Sequence, residues 1–290
     1  MKTISTLLLA VMTAVAVSAG MVNAAELALP ASSAAPERFQ VGDSAGAAQE
    51  SGFLDRVVNV DAKEYRYEIY VPREHTSNRP LPVILALHGG GQYGTDGISQ
   101  TALGFAHAIR SHPERFQAVV VFPQSPPDGT AGFQGLGGRI ALAALDKTMS
   151  EYSADKSRVY LTGLSMGGNG AWYLAYHHPE RFAAALIVCG FIGEFTGRQS
   201  GVLYPPIIPG KASDPYREIA EHLTKLPIWI FHGDADLNVS VEESRHMFAA
   251  LKAVGADVRY TELPGVDHNA WNTAYGRQDV IAWLFQQKRE

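Results

Sequence analysis

Arg158-Val-Tyr-Leu-Thr162, Gly163-Leu-Ser-Met-Gly-Gly168 and Asn169-Gly-Ala-Trp-Tyr-Leu-Ala-Tyr176 follow one another without a break. The first run is apolar and β-branched and reads as a strand; the last reads as a helix. Between them lies a G-x-S-x-G turn, the strand-turn-helix context of a nucleophile elbow. Glycines flank Ser165 because a strand turning sharply into a helix brings backbones too close for a Cβ. Such a turn lifts the Ser165 hydroxyl above the sheet edge. The helix starting at Met166 aims its free N–H groups at the same spot.

The chain has 290 residues, of which 46% are hydrophobic and 18% charged, enough for one large α/β domain with a sizeable core. A formal charge of −5 leaves no basic face, so nucleic acid is not an expected partner. No internal apolar run approaches the roughly 20 residues of a membrane span, so no membrane partner is expected either. At the N-terminus, Lys2 precedes the apolar stretch Leu7 to Val17, and Val22-Asn-Ala24 is a small-x-small cleavage pattern. This predicts a signal peptide over 1–25 and export to the periplasm or beyond, with an uncleaved anchor as the alternative. Residues 26–50, rich in Ala, Ser, Pro and Gly, read as a flexible leader, and 51–290 as the folded domain. Cys189 is the single cysteine, so no internal disulfide forms; its apolar strand context marks it as a packing residue.

Two alternating runs, Phe53 to Val60 and Tyr65 to Val71, predict an antiparallel edge pair. Continuous apolar runs at Leu81–Leu87, Gln117–Phe122, Ala183–Val188 and Pro227–Phe231 read as strands buried on both faces. Val258–Leu263 reads as the last strand. Helices are expected over Ser99–Arg110, Arg139–Tyr152, Val241–Val254 and from Arg277. Asp214 caps another that begins at Pro215. Strands alternating with helices argue a mostly parallel sheet covered on both faces. Residues 191–213, rich in Gly, Pro and aromatics without a period, form a loop long enough to be functional. His112-Pro-Glu-Arg-Phe116 and His178-Pro-Glu-Arg-Phe182 each end a helix and lead into a strand, one turn solution used twice.

A serine hydroxyl needs a base within hydrogen-bond reach. Of ten histidines, His268 lies in the loop after the last strand, where parallel sheets place their active sites. His88 and His232 each end a strand before a glycine; His88 is expected to brace the loop that follows, with direct action as the alternative. The base needs a carboxylate to orient it. His232-Gly-Asp234-Ala-Asp236 offers two; Asp236, farther into its loop, is preferred over Asp234, and Asp267 stands too close to His268 in sequence. The order Ser165, Asp236, His268 suits this kind of sheet. Backbone N–H groups of Gly90, in the loop His88-Gly-Gly-Gly91, and of Met166 are the expected oxyanion donors. A phosphate loop is the competing reading, and the chain lacks the Lys-Ser/Thr pair that would close it.

His88-Gly-Gly-Gly-Gln-Tyr-Gly94, Phe122-Pro-Gln124, Val159 to Gly168, Pro179 to Ala184, His232 to Asp236 and His268-Asn-Ala-Trp271 together resemble the secreted α/β-hydrolases. Within these, the chain is most similar to the feruloyl-esterase and polyhydroxybutyrate-depolymerase-like esterases and to peptidases related to prolyl oligopeptidase. The resemblance spans roughly residues 52–287. It implies the α/β-hydrolase fold and no cofactor or metal. It implies Ser165 as nucleophile, His268 as base, Asp236 as acid and Gly90 with Met166 at the oxyanion hole. A tryptophan common after the Phe-Pro-Gln segment is missing from residues 126–138.

The expected activity is hydrolysis of a small or polymer-linked carboxylic ester through an acyl-enzyme. A peptidase and a catalytically silent binding protein on the same fold are the alternatives. Tyr93, Gln124, Phe133, Phe191 and Trp271 are the expected substrate contacts, with Phe195 and Tyr204 on nearby loops. The aromatic residues among them either line the pocket or cap the core. If they line it, an aromatic acyl group fits.

Overall fold

Strand β1 (Gly52–Val60) turns back on β2 (Lys63–Val71) through two residues, with Val60 paired to Lys63. Both turn residues, Asp61 (φ 51°) and Ala62 (φ 59°), are left-handed, as the twist of a two-residue hairpin requires. The computed structural model describes residues 50–74, 80–127, 132–197, 201–210 and 213–290. The signal peptide expected over 1–25, and the leader up to residue 49, lie outside them.

The chain continues as β3 (Val83–Leu87), α1 (Phe105–Ser111), β4 (Val119–Pro123), α2 (Leu136–Glu151), β5 (Val159–Leu164), α3 (Met166–His177) and β6 (Ala184–Val188). A two-stranded flap, β7 (Phe195–Thr196) with β8 (Leu203–Tyr204), occupies the long loop. Then come α4 (Pro215–His222), β9 (Ile228–Gly233), α5 (Glu242–Ala253), β10 (Val258–Leu263), α6 (Trp271–Gly276) and α7 (Gln278–Gln286). The sheet order is β1-β2-β4-β3-β5-β6-β9-β10. β1, β2 and β4 pair antiparallel, and every pairing from β4 to β10 is parallel.

Side chains alternate across this sheet, so its two faces carry separate cores. On β3, Val83, Leu85 and Leu87 join the core beneath α2, α3, α4 and α5, with Trp172, Ile140 and Leu251. Ile84 and Ala86 face the other core, built on α1, α6 and α7 with Phe105, Ile109 and Trp283. The parallel strands all run one way, so the segments after β3, β5, β9 and β10 emerge along one edge. That edge carries the site.

Several boundaries move. The helix expected from Ser99 starts at Phe105, because Gly104 adopts φ 68° and Ser99–Thr101 forms only a 3-10 turn. Helix α2 begins before the expected Arg139. Helix α6 is an extra six-residue element, cut from α7 by extended Arg277 (ψ 123°). The Asp214 cap is present: its carboxylate accepts from Arg217 N at 3.0 Å. The twice-used turn holds as well. His112 and His178 share φ/ψ of −145°/60° and −140°/48°, each starts a 3-10 turn, and Phe116 and Phe182 are buried in opposite cores. Among the described residues no helix is long and apolar enough to cross a membrane.

Candidate active site

Ser165 links β5 to α3 with φ 55° and ψ −119°, a conformation that non-glycine residues rarely adopt and that costs about 1–3 kcal/mol. Its N–H donates to Val188 O at 2.9 Å and its carbonyl accepts from Asn169 N at 3.0 Å, so the turn is held from both sides. Gly167 lies against β3, where a Cβ would meet Leu87 O at 2.2 Å. Only glycine lets the first turn of α3 settle onto the sheet.

His268, in the loop between β10 and α6, points its Nε2 at Ser165 Oγ, 2.8 Å away. Its Nδ1 lies 2.6 Å from Asp236 Oδ2. A carboxylate only accepts, so Nδ1 carries the proton and donates to Asp236. The neutral ring then accepts from the serine hydroxyl at Nε2. The Asp236 side chain is fully buried, while the His268 ring is 18% exposed. Asp236 Oδ1 accepts from Asn238 N (2.8 Å) and Val239 N (3.0 Å), and Oδ2 also takes a bond from His232 Nε2 at 3.2 Å. Burial works to raise the Asp236 carboxyl. Hydrogen bonds from His232 and His268, the electrostatic attraction of the nearby imidazole and the Val239 N–H outweigh it and hold the group well below the usual carboxylate range.

The rival acid, Asp234, is used otherwise. Its Oδ1 accepts from Gly265 N at 2.6 Å, tying the loop after β9 to the loop after β10. Ala235 N donates to Val266 O at 3.0 Å, and a Cβ on Gly233 would meet Val266 O at 2.2 Å. The loops that carry Asp236 and His268 are thus zipped together by backbone. Cys189 is a correction: it lies one residue past β6, at φ 42°, instead of inside the strand. Its thiol donates to His268 O at 3.6 Å, and burial pushes it well up. Cys189, Asp236 and His268 form the single group of metal-ligating atoms that converges among the described residues, within 4.8 Å. A protonated thiol beside a carboxylate and imidazole already bonded to each other suits a hydrogen-bond network better than a metal.

His88 braces its loop. Its Nε2 accepts from Ser125 N at 2.9 Å, so Nδ1–H donates to Gly89 O at 2.7 Å. Burial lowers the ring to about 4, against a smaller opposing effect of the Gly89 bond. Gly90 and Met166 each begin a helical turn, where N–H groups lack an internal acceptor. Both line a cavity of about 330 Å³ together with Ser165, His268, Phe191, Phe195 and Tyr204.

Four of the five expected substrate contacts, Tyr93, Gln124, Phe133 and Trp271, do not line that cavity. Gln124 is buried as a brace: Oε1 accepts from Gly97 N (2.8 Å), and Nε2 donates to Asp96 Oδ1 (3.0 Å) and Gln92 O (3.2 Å). Phe133 is fully buried, edge-on to the His88 ring at 5.1 Å. Trp271 stands perpendicular to the His268 ring at 5.5 Å and lines a separate hollow between α1 and α6. Tyr93 touches the wall through its hydroxyl, 3.1 Å from that of Tyr204. Phe191 is in the cavity wall, and Phe195 packs on it at 4.5 Å. Asn238 and Val239 were not anticipated as lining. The signal was their place two and three residues after Asp236, where their N–H groups close a turn on its carboxylate.

The strand order, the helices on both faces and the elbow after β5 define the α/β-hydrolase fold. A solved thermostable esterase shares it with a TM-score of 0.65 and 30% identity, over 82% of this chain and 63% of that one. The model of the dienelactone hydrolase family matches residues 131–279, and the chain belongs to that family. An acetylxylan esterase A of Emericella nidulans is 31% identical over 152 residues, 49% of this chain and 46% of that protein. An uncharacterized secreted protein of Arthroderma benhamiae is 28% identical over 221 residues, 69% of this chain and 22% of that protein. The chain thus spans less than half the length of either of these two relatives.

Proposed function

We propose that this chain is a serine hydrolase that cleaves carboxylic esters through an acyl-enzyme. The observation that carries the reading is the unbroken line from Ser165 Oγ to His268 Nε2 (2.8 Å) and from His268 Nδ1 to Asp236 Oδ2 (2.6 Å). His268 takes the serine proton as Oγ attacks the ester carbonyl, and Asp236 stabilises the imidazolium that forms. The N–H groups of Gly90 and Met166 receive the developing oxyanion, each worth about 3–4 kcal/mol in the transition state. His268 then returns its proton to the leaving alcohol, and water repeats the cycle on the acyl-enzyme.

The acyl pocket is walled by Phe191, Phe195 and Tyr204, which suits an aromatic acyl group on an ester derived from a plant polymer. The likeness to an acetylxylan esterase supports a polymer-linked ester. The N-terminal signal pattern and the likeness to a protein named as secreted support export. Labelling with a fluorophosphonate probe tests the nucleophile: the adduct is expected on Ser165, and an adduct elsewhere, or none, contradicts the assignment.

A further inference from the structure

Asp236 carries two histidines. His232, next to last in β9, is fully buried, and its Nε2 faces Asp236 Oδ2 at 3.2 Å and Val239 O at 3.1 Å. Both are acceptors without a proton of their own, so Nε2 must bear the hydrogen. Its Nδ1 lies 2.7 Å from Ser244 Oγ, on the first turn of α5, and Ser244 is also buried. A neutral ring protonated at Nε2 accepts from the Ser244 hydroxyl. The two acceptors at Nε2 therefore fix the tautomer, and the Ser244 hydroxyl, which can donate or accept, answers it by donating to Nδ1 and seating the ring. With the other tautomer, a lone pair would face Asp236.

We propose that His232, seated by its hydrogen bond with Ser244, is a positioning residue for Asp236; the inference rests on the Ser165–His268–Asp236 reading above. Two backbone N–H groups hold Oδ1, and two imidazole N–H groups share Oδ2. Every lone-pair direction of the carboxylate is used, so it can neither rotate away from His268 nor gain enough basicity to pull the proton off Nδ1. His232 touches no reacting atom. It acts by keeping Asp236 ionised and aimed while His268 cycles between neutral and charged.

The test uses the full chain and a short-chain chromogenic ester. His232→Phe keeps a ring and removes both nitrogens; His232→Gln restores an amide donor toward Asp236. The Phe variant is expected to lose about tenfold or more in kcat with KM within about twofold, per site counted by fluorophosphonate titration. The Gln variant is expected to recover most of that loss. A titrated Phe variant with parental kcat, or equal losses in Phe and Gln, overturns the proposal.

If the Phe variant does not fold, Ser244→Ala decides, because it leaves His232 in place. In that variant the downfield proton resonance of the His268 Nδ1–H···Asp236 bond is expected to shift. An unmoved resonance overturns the proposal. That readout needs no turnover, so a parent protein that cleaves no ester would sink the functional reading while the resonance still judged His232.

Discussion

A Cβ placed on Gly163 would stand 2.0 Å from the carbonyl oxygen of Gly167, four residues on. Strand β5 and helix α3 therefore meet at a distance that no other residue permits, and Ser165 is held at φ 55° in between. Gly163→Ala is expected to open this turn and destabilise the protein by several kcal/mol, the range of severe steric and backbone substitutions. Thermal unfolding measures the loss, and a variant with parental Tm would show that the turn relaxes freely.

The β1–β2 hairpin has no glycine in its turn, yet Ala62 sits at φ 59°. An alanine in the left-handed region costs roughly 1 kcal/mol or more relative to glycine. Ala62→Gly is expected to raise stability by about 1 kcal/mol in urea unfolding, with unchanged ester turnover. A loss of stability would mean that the added freedom of the unfolded chain outweighs the relieved strain.

His88 supplies a pH dependence whose sign follows from its depressed value. Folded, the ring titrates near 4; unfolded, near the ordinary 6.5. The unfolded chain binds the extra proton between these values, so the stability due to neutral His88 is present above pH 6.5 and is lost as pH falls toward 4. The loss reaches about 3 kcal/mol at most. The stability gap between the parent and His88→Gln is expected to shift by that order, against the parent, from pH 7 to 4. A constant gap would contradict the buried neutral ring.

Phe195, on the flap, packs against Phe191 and faces the Ser165 cavity. Phe195→Ala removes one wall of the acyl pocket. It is expected to lower kcat/KM for an aromatic ester such as methyl ferulate about tenfold, while an acetyl ester changes little. Equal losses on both would place Phe195 outside acyl recognition.

The sequence was informative wherever chemistry and element boundary coincide. Ser165, Asp236 and His268 each lie in the segment that follows an expected strand, so their residence on one sheet edge follows from the parallel topology. The choice of Asp236 over Asp234 depended on loop length; the structure turns Asp234 toward Gly265 and Asp236 toward His268. Side-chain direction in loops leaves no such trace. Gln124 and Phe133, between β4 and α2, and Trp271, at the start of α6, lie around the site but point into a brace, a core and a neighbouring hollow. Short elements escaped as well. Helix α6 is too brief to show a period, and the flap strands are two residues each. Gly104, an ordinary residue in a helical pattern, breaks the helix because its φ is 68°.

The most direct test compares turnover of a short-chain chromogenic ester by the parent and by Ser165→Ala, with the fold of each checked by circular dichroism. The parent is expected to hydrolyse the ester, and the folded variant to fall by at least about 10³-fold. Comparable turnover in the folded variant would show that the hydroxyl facing His268 is not the nucleophile.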